Sequence, residues 1–441
     1  MPHEGNEREA TMVADDDAKI ILVLNCGSSS LKYDLIRMPH RQSLGRGIVE
    51  RIGEEKGMLD QRCGEKKLVI EQKIQDHKEA LELVMRAITD TDEGIIKSVD
   101  EICGIGHRVV HGGDKYSSSV IIDQSVVDAV EEFIELAPLH NPPNLTGIQV
   151  ARELMPKVQQ VAVFDTAFHQ TMPPHAYLYG LPRKFYDELK IRRYGFHGTS
   201  HRYVSARALH LCHRHPINTN LISCHLGNGA SVTAIAHGKS IDTSMGFTPL
   251  EGIMMGTRSG DLDPAILGYL MDRGYSAKDL MKILNKQSGL VGLSGISNDL
   301  RDLEKAADEG NRRAKEAIEC YAYRVRKYIG AYAANLVKLD MLVFTGGIGQ
   351  HGWRMRERIC HRLENLGICM NYKLNKEKGS NEGIVSEAHS PVTVVVVPTN
   401  EELQIAIDVY ELVFGKESEF RRRQSDIVVG IEQAVGCSDP V

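Results

Sequence analysis

Apolar residues along the chain form short unbroken runs, and several of these runs end at turns of small residues. Residues 20–24 read IILVL, which predicts a strand that is buried on both faces. The turn NCGSSS follows at residues 25–30, and alternating apolar and polar positions at residues 31–35 predict a second strand, so this stretch forms a hairpin. Residues 221–236 repeat the same order of strand, turn and strand. The repetition predicts two related lobes with a cleft between them.

Periodicity and proline positions divide the remaining sequence into helices, strands and a loop. Apolar residues at helical spacing predict helices at residues 76–87, 123–136, 144–153 and 311–336, and a closing helix that ends at residue 414. Further β-like runs lie at residues 46–70, 103–110, 160–164, 341–344 and 392–397. Three prolines interrupt the helical pattern and predict a rigid loop at residues 137–144. The alternation of strands and helices is typical of an α/β protein.

Composition narrows the class of protein. Hydrophobic residues make up 42% and charged residues 25% of the 441 positions, as in ordinary soluble globular proteins. The net charge of -6 gives no reason to expect a nucleic acid or an anionic membrane as a partner, and no apolar run is long enough to cross a membrane. The nine cysteines are scattered, so we expect reduced thiols and a cytoplasmic protein. The first 18 residues are polar and acidic, and we expect a disordered leader rather than a signal peptide.

Three turns of small residues, each directly after an apolar strand, are candidate sites for phosphate groups. They lie at residues 25–30, 227–230 and 345–349. Backbone N–H groups in such turns can surround an anion, although each turn taken alone is also explained as an ordinary loop. The pattern Gly-x-Gly-x-x-Gly at residues 347–352 matches a dinucleotide fingerprint, but the βαβ context that it requires is not evident. This pattern alone therefore gives only weak support to a nicotinamide-dependent dehydrogenase, which ranks behind the functions considered below.

Charged residues at strand ends and in flexible turns supply candidate catalytic groups. Arg108 and Arg258 lie in glycine-rich segments, where a guanidinium can bind a carboxylate or phosphate through two parallel hydrogen bonds or form a structural ion pair. Asp165 follows a strand and suits either catalysis or a helix cap. The carboxylates at residues 401–402 suit either Mg²⁺ or a helix N-terminus. The two histidines of segment 194–201 are not expected to bind a metal, because no Cys, Asp or Glu stands at ligand spacing.

Taken together, nine segments resemble the acetate kinase family, which belongs to the superfamily of actin, hexokinase and the sugar kinases. The resemblance extends from residue 20 to residue 414, and it is carried by LNCGSSSLKY (24–33), GHRVVHGG (106–113), APLHNPPN (137–144), VFDTAFH (163–169), YGFHGTSH (194–201), SCHLGNGAS (223–231), MGTRSGDLDP (255–264), FTGGIG (344–349) and PTNEE (398–402). It implies two actin-like, ribonuclease H-like lobes with a catalytic cleft, and a homodimer. We expect an N-terminal lobe at residues 19–166, to which a helix at 402–415 returns, a C-terminal lobe with the nucleotide site at 167–401, and a tail of unknown structure at 416–441.

The resemblance also implies an activity and a set of residue roles. The activity is reversible phosphoryl transfer from ATP to acetate, directly and in line, which gives acetyl phosphate and ADP and needs Mg²⁺ or, alternatively, Mn²⁺. The resemblance assigns catalysis to Arg108, Asp165, His197 and Arg258, with His197 and Arg258 as transition-state stabilisers. It assigns acetate binding to Arg108, Val110, Leu139, Phe196 and Pro249, and the metal to Asn25 and Glu401. It assigns nucleotide binding to Ser28, Ser30, Lys32, His225, Gly227, Asn228, Gly229, Asp299, Arg301, Gly347 and Gly349.

The sequence departs from the family pattern at the third turn, which faces the adenosine in the family. Gly346 stands where the family usually has Ala, and Gln350-His351 stand where it has Glu-Asn. The resemblance therefore does not fix the choice of nucleotide. One alternative is a kinase of propionate or of another short-chain carboxylate. An alternative of a different class is an actin-like nucleotide-binding or assembly protein that does not turn over an acid.

Overall fold

The structure, a computed structural model, describes residues 18–138 and 140–415. Leu139, the tail at residues 416–441 and nearly all of the expected leader lie outside the described residues. The strands are β1 (Lys19–Cys26), β2 (Ser30–Met38), β3 (Gln42–Glu50), β4 (Gly57–Cys63), β5 (Lys66–Gln72), β6 (Ile102–Val109), β7 (Val120–Ile121), β8 (Gln160–Phe164), β9 (Leu221–Leu226), β10 (Ala230–Ala236), β11 (Lys239–Thr243), β12 (Met341–Thr345), β13 (Gly383–Ile384) and β14 (Thr393–Val396).

Helices alternate with these strands along much of the chain. They are α1 (His77–Ile88), α2 (Gln124–Glu132), α3 (Asn141–Leu154), α4 (Pro174–Tyr177), α5 (Lys184–Leu189), α6 (Gly198–Leu211), α7 (Ala265–Met271), α8 (Ala277–Lys286), α9 (Gly289–Ser294), α10 (Leu300–Asp308), α11 (Arg312–Asn335), α12 (Gly346–His351), α13 (Trp353–Cys360), α14 (Tyr372–Lys378) and α15 (Glu401–Phe414). No helix of the described part of the chain is both long and apolar enough to cross a membrane.

The described strands form two sheets, and each sheet contains an antiparallel hairpin whose first strand also pairs with a parallel strand. The first sheet has the order β5-β4-β3-β2-β1-β6-β8-β7, and the second has the order β11-β10-β9-β12-β14-β13. In the first sheet, β1 pairs antiparallel with β2 and parallel with β6. In the second sheet, β9 pairs antiparallel with β10 and parallel with β12. The predicted α/β class and the repeated hairpin are therefore confirmed.

The described residues divide into two compact units, each with its own hydrophobic core. Unit 1 contains residues 18–107, 143–161 and 405–415. Its core joins the buried side chains of β1, β2 and α1. Unit 2 contains Arg108–Pro142 and Ala162–Gln404, and its core packs α11 against β9, β10 and β12. The lobe boundaries expected from the sequence stay a prediction.

Polar residues at the predicted boundaries fix where several helices begin. The Asp76 side chain accepts hydrogen bonds from the first free N–H groups of α1, and the Asp123 and Asn311 side chains do the same for α2 and α11. These helices lie where their apolar periodicity predicts them. Helix α2 is shorter than predicted, because it ends at Glu132 rather than at residue 136.

Two sequence predictions of irregular backbone are wrong. Residues 137–144 were predicted as a rigid loop, but α3 begins at Asn141 and contains Pro142 and Pro143 in its first turn. Proline is tolerated there, because the first N–H groups of a helix have no intrahelical partner. Residues 345–349 were predicted as a turn, but the chain passes directly from β12 into the short helix α12.

Helix α15 packs so closely on β6 that two strand positions have no room for a side chain. A Cβ atom on Gly104 would lie 2.8 Å from Val409 Cγ1, and one on Gly106 would overlap Ile405 and would lie 2.9 Å from Val409 Cγ2. Both branched side chains are stiff at χ1, so they cannot move aside without strain. The closing helix therefore depends on glycine at these positions.

We predict that Gly106→Ala lowers the free energy of unfolding by about 1–3 kcal/mol, because the new methyl group overpacks the contact with α15. Gly330→Ala is the matched control: a Cβ atom at this position of α11 meets nothing within 4 Å. Alanine is the better helix former, so the control should gain up to about 1 kcal/mol. Urea denaturation measures both changes. Equal stability of the two variants would contradict this packing.

Candidate active site

The carboxylate of Asp165 holds together the groups at the end of β8. Its oxygen Oδ2 accepts one hydrogen bond from Arg108 Nη2 at 2.9 Å and another from the backbone N–H of His197, also at 2.9 Å. The Asp165 carbonyl oxygen accepts from the N–H of Gly198 at 2.9 Å. The residue therefore caps the start of α6 and fixes a guanidinium at the same time. The side chain is 1% exposed, so water does not compete for these bonds.

His197 lies at the N-cap of α6 in an uncommon backbone conformation. Its φ of 57° is in the left-handed region that non-glycine residues rarely adopt. The bond from its N–H to Asp165 helps to hold this conformation, and such strain is typical of functional sites. The ring stacks on His225 with 4.3 Å between centroids, and Nδ1 lies 2.9 Å from Ser231 Oγ. The other ring nitrogen, Nε2, forms no hydrogen bond within the described part of the chain, which leaves it available to a substrate.

The free nitrogen of His197 and the guanidinium of Arg258 converge on the glycine turn between β9 and β10. A Cβ atom on Gly229 would lie 3.3 Å from His197 Nε2 and 3.4 Å from Arg258 Nη1. Only glycine leaves this space open, so an anion near Gly229 is within reach of both donors. Arg258 Nη1 also lies 3.5 Å from the carbonyl oxygen of Pro249.

Apolar residues predicted to form a methyl pocket lie beside these polar groups. Val110 and Phe196 are 6% and 4% exposed and belong to the same hydrophobic cluster of unit 2. Pro249 is half-buried and contacts Arg258 through its carbonyl oxygen. The fourth predicted pocket residue, Leu139, lies outside the described residues. The grouping of these residues around one methyl group stays a prediction.

Glu401, the first residue of α15, is a second carboxylate close to the guanidinium of Arg108. Arg108 Nε lies 3.4 Å from Glu401 Oε2. Burial lowers the pKa of the Arg108 guanidinium, but the surrounding carboxylates, above all Asp165, outweigh it and raise this pKa. Burial raises the pKa of Glu401 to about 7, although the charge of Arg108 opposes the shift. Glu401 therefore keeps its proton to a higher pH than an ordinary glutamate does.

The two imidazoles at the centre are held neutral. Burial, followed by the neighbouring His225 and His201 rings and by both arginines, lowers the pKa of His197 well below its ordinary value. Burial lowers the pKa of His225 to about 4. Arg108 and Arg258 both contribute to this lowering of the His197 pKa, while the expectation that the two guanidiniums share one catalytic site stays a prediction. A neutral His197 donates through only one ring nitrogen.

The residues predicted for the nucleotide lie partly next to this centre in unit 2. Asn298 Nδ2 donates to Asn228 Oδ1 at 2.9 Å, which brings the segment before α10 to the β9–β10 turn. Asp299 caps α10, and the exposed Arg301 side chain folds back onto it with Nε 3.0 Å from Oδ1. A Cβ atom on Gly227 would lie 3.9 Å from Gly347 N, so the first residues of α12, which continues through Gly349, border the same turn.

The residues of α12 that depart from the family pattern have structural partners. Gly346 has a φ of 74°, which favours glycine, and a Cβ atom there would lie 2.7 Å from the carbonyl oxygen of Leu226. Gln350 Nε2 donates to the carbonyl oxygen of Ser380 at 3.1 Å, and His351 Nδ1 lies 2.7 Å from Ser380 Oγ. These two side chains are therefore turned toward the segment after α14.

The remaining predicted residues lie in unit 1, on the first hairpin. Asn25 in β1 is directly opposite Lys32 in β2, so their side chains share one face. Ser28 and Ser30 belong to the tip, where the N–H of Gly27 donates to the carbonyl oxygen of Ser30 at 2.8 Å. The tip is therefore a tight turn with an exposed hydroxyl at Ser28.

The acidic side chains of the site fit Mg²⁺ that arrives with a nucleotide better than a dedicated metal cage. Asp165 Oδ1 is buried and has no hydrogen-bond partner within the described residues, which leaves a lone pair available. Glu401 offers a second carboxylate beside the same arginine. The described ranges contain no group of three or more His, Cys, Asp or Glu side chains that would enclose an ion. Mg²⁺ commonly uses one or two carboxylates, several waters and substrate phosphates.

Several residues that organise the site were missed by the sequence prediction. Ser231 contacts His197 from a neighbouring strand, and Ser200 Oγ joins His225 Nδ1 at 2.8 Å to Thr399 Oγ1 at 2.7 Å. The fully buried Arg356 donates to the carbonyl oxygens of Gly349 and Gln350, at 2.9 and 2.6 Å, and so fixes the end of α12. Serine and arginine at such positions give no local signal. Only the fold brings them to the site.

Comparison with known proteins relates most of the chain to one family. The sequence profile of the Acetokinase family matches residues 20–407. An acetate kinase of Desulfitobacterium hafniense is 53% identical over 395 residues, which are 89% of this chain and 99% of that protein. The crystal structure of Porphyromonas gingivalis acetate kinase matches with a TM-score of 0.88 and 48% identity, over 90% of this chain and 100% of that one. A propionate kinase structure from Francisella tularensis matches with a TM-score of 0.83 and 43% identity, over 89% and 100%.

We predict that Glu401→Gln removes part of the pH dependence of stability. The folded-state pKa of about 7 lies above the ordinary 4.5, so between these values the folded protein keeps a proton that the unfolded chain releases. The wild-type free energy of unfolding should therefore fall as pH rises through this window. Urea denaturation at about pH 5 and about pH 8, without substrates or metal, should show a smaller loss for the variant. Equal losses in both proteins would contradict the assignment.

Proposed function

The chain belongs to the acetokinase family, and from that premise we propose a residue-level account of its reaction. The protein is a transferase that moves a phosphoryl group between ATP and acetate, with acetyl phosphate and ADP as the other pair of substrates. The observation that carries the account is the convergence of Arg108, His197 and Arg258 in unit 2, beside the glycine turn at Gly229.

In the proposed reaction, a carboxylate oxygen of acetate attacks the terminal phosphorus of ATP while the bond to ADP breaks on the opposite side. Such a transfer is catalysed by positioning and by neutralising the charge on the three equatorial oxygens, not by covalent chemistry of the protein. Arg108 and Arg258 supply two positive charges for the acetate and the phosphoryl group, and His197 donates a hydrogen bond from Nε2. Asp165 keeps Arg108 and His197 in place.

The nucleotide and the metal have separate binding groups in this proposal. Gly227, Asn228 and Gly229 would contact the phosphates together with the start of α12, and Asp299 and Arg301 lie on the adenosine side. Ser28, Ser30, Lys32 and His225 are the further nucleotide contacts implied by the family. In unit 2, Glu401 and Asp165 would hold Mg²⁺ directly or through water, and Asn25 is the further metal residue that the family implies. The bound ion would neutralise phosphate charge.

The preference for a short acid is proposed to come from the apolar side chains Val110, Phe196 and Pro249, with Leu139 as a further member. Because one buried methylene discriminates by only about 1–3 kcal/mol, propionate is the nearest alternative substrate. A solved propionate kinase with 43% identity makes this alternative concrete. The assembly protein and the dehydrogenase are not supported, because two arginines and a histidine meet where an acid and a phosphoryl group would react.

We also propose a homodimer in the cytoplasm. Helix α7 has no buried residue, and Ile266, Tyr269 and Met271 are 45%, 58% and 47% exposed. A second copy of the chain would cover such an apolar face. The cysteines within the described residues are free thiols, as a reducing compartment requires. Sedimentation equilibrium should give twice the chain mass of 49.0 kDa, and a monomer would contradict the dimer.

We predict that Arg258→Ala lowers kcat by about 10²–10³-fold while the fold is retained, because one charge on the transferring group is lost. Trapping acetyl phosphate with hydroxylamine measures turnover, and circular dichroism checks the fold. Arg312→Ala is the control, since this arginine is 89% exposed and its ion-pair partner within the described residues is Glu316 on its own helix. Near-normal turnover of Arg258→Ala would refute its role. Absence of ATP- and acetate-dependent hydroxamate in the wild type would refute the function itself.

We predict that Val110→Ala raises the ratio of kcat/KM for propionate to that for acetate by roughly tenfold, because the truncated side chain leaves room for one more methylene. Val127→Ala removes the same atoms from another buried position of unit 2, on α2, and serves as the control. Steady-state kinetics with both acids measure the ratio. An unchanged ratio for Val110→Ala, or an equal rise in the control, would count against the pocket.

A further inference from the structure

A continuous line of hydrogen bonds leads from His197 into the interior of unit 2. His197 Nδ1 lies 2.9 Å from Ser231 Oγ, and Ser231 Oγ lies 2.7 Å from His201 Nε2. On the other side of this second ring, His201 Nδ1 lies 3.0 Å from Ser223 Oγ. The order is therefore His–Ser–His–Ser, and the proposed reaction uses only its first member.

Three regular elements fix the geometry of this line. His197 is the N-cap residue of α6 and His201 lies in the first turn, where its N–H donates to the carbonyl oxygen of His197 at 2.9 Å. Ser231 is directly opposite His225 in the β9–β10 pair, and Ser223 precedes His225 by two residues, so both hydroxyls are on the same face of the sheet. His201, Ser223 and Ser231 are all 0% exposed. Solvent therefore does not supply alternative partners.

The hydrogen bond at the interior end of the line, at Ser223, determines which group donates in each of the other bonds. Within residues 18–138 and 140–415, His201 Nδ1 is the sole hydrogen-bond partner of Ser223 Oγ. The single hydroxyl hydrogen of this buried serine is therefore satisfied only if it points at Nδ1. Burial, followed by the neighbouring His169 and His225 rings, lowers the pKa of His201 well below its ordinary value, so the ring has one proton. With Nδ1 accepting, that proton is on Nε2.

The same reasoning assigns the donor and the acceptor in the two hydrogen bonds between His201 and His197. His201 Nε2–H donates to Ser231 Oγ, so the hydrogen of Ser231 is left to point at His197 Nδ1. His197 must then carry its own single proton on Nε2. This is the nitrogen that faces Gly229 and Arg258. In the opposite tautomer, a lone pair on Nε2 would face the phosphoryl oxygens and repel them.

We propose that Ser223, His201 and Ser231 are positioning residues that fix His197 in the Nε2–H tautomer, so that the neutral ring donates a hydrogen bond to the transferred phosphoryl group. The identity of that group rests on the proposed function. The tautomer itself does not, because every bond in the line is internal to the protein. His201 and the two serines are thus needed for the rate although none of them touches a substrate.

The tautomer can be measured directly in the full chain without substrates. In protein labelled with ¹⁵N-histidine, two-bond ¹H–¹⁵N spectra distinguish protonated from unprotonated ring nitrogens, and the His197→Asn variant assigns the signal. We expect Nε2 of His197 to be protonated and Nδ1 to be unprotonated in the wild type. In Ser231→Ala and Ser223→Ala, the signals should shift toward a mixture of tautomers. A wild-type His197 with its proton on Nδ1 would overturn the proposal.

Kinetics separate positioning from general stability. Ser231→Ala should lower kcat by roughly tenfold, less than the about 10²–10³-fold for removal of a donor, with little change in KM for acetate or ATP. Thr233→Val is the matched control: it removes a buried hydroxyl two residues further along β10, whose partner is Thr243 Oγ1 at 2.8 Å. The control should keep the wild-type kcat. Ser223→Ala provides a second test if Ser231→Ala does not fold.

The outcomes distinguish this proposal from the proposed function. If His197→Asn lowers kcat but both serine variants keep it, the positioning line is overturned while the role of His197 stands. If His197→Asn keeps the wild-type rate, the role of His197 in the reaction fails, whatever its tautomer. A loss of kcat in Thr233→Val equal to that in Ser231→Ala would also overturn the proposal, because the effect would then be one of stability.

Discussion

The active site depends on one buried carboxylate oxygen that two donors share. Asp165 Oδ2 binds the guanidinium of Arg108 and the backbone N–H of His197, each at 2.9 Å. A buried ionised group is tolerated only when it is paired and hydrogen-bonded. Removing either donor would therefore destabilise the protein, because a buried charge would lose a partner. The position of Arg108, the left-handed backbone of His197 and the first turn of α6 are therefore set by the same group.

The fold supplies this arrangement by ending secondary structure elements at one place in unit 2. Arg108 is the penultimate residue of β6, Asp165 directly follows β8, α6 begins after His197, and the β9–β10 hairpin turns at Gly229. Backbone groups and side chains at the ends of strands and helices are not all used in the hydrogen bonds of the sheet, so they can contact a ligand. Arg108 and Arg258 add to the effect of burial in lowering the pKa of His197, so this ring stays neutral beside the two guanidiniums. The site is organised for an anion before one arrives.

The sequence predicts much of this fold because its strongest signals are local. Unbroken apolar runs place β1, β9 and β12, and the helix caps at Asp76 and Asn311 agree with the apolar periodicity of α1 and α11. Pro142 and Pro143 misled the prediction, since proline breaks a helix interior but not a first turn. The catalytic interpretation of Asp165 stays a prediction. At the start of α6, its side chain accepts from the N–H of His197 and its carbonyl oxygen accepts from the N–H of Gly198.

The sequence does not predict the side chains that hold the active-site residues in position. Ser231 and Ser223 look like ordinary strand residues in the sequence, and only the β9–β10 register places them on the face of the two histidines. Arg356 likewise contacts α12 only in the folded chain.

The measurement that tests the central claim most directly is kcat and KM for acetate in Asp165→Asn, which keeps the shape and an acceptor oxygen but removes the charge. If the shared carboxylate organises the site, kcat should fall by about 10²-fold or more and KM for acetate should rise, with an unchanged fold. Wild-type kinetics in this variant would contradict the claim.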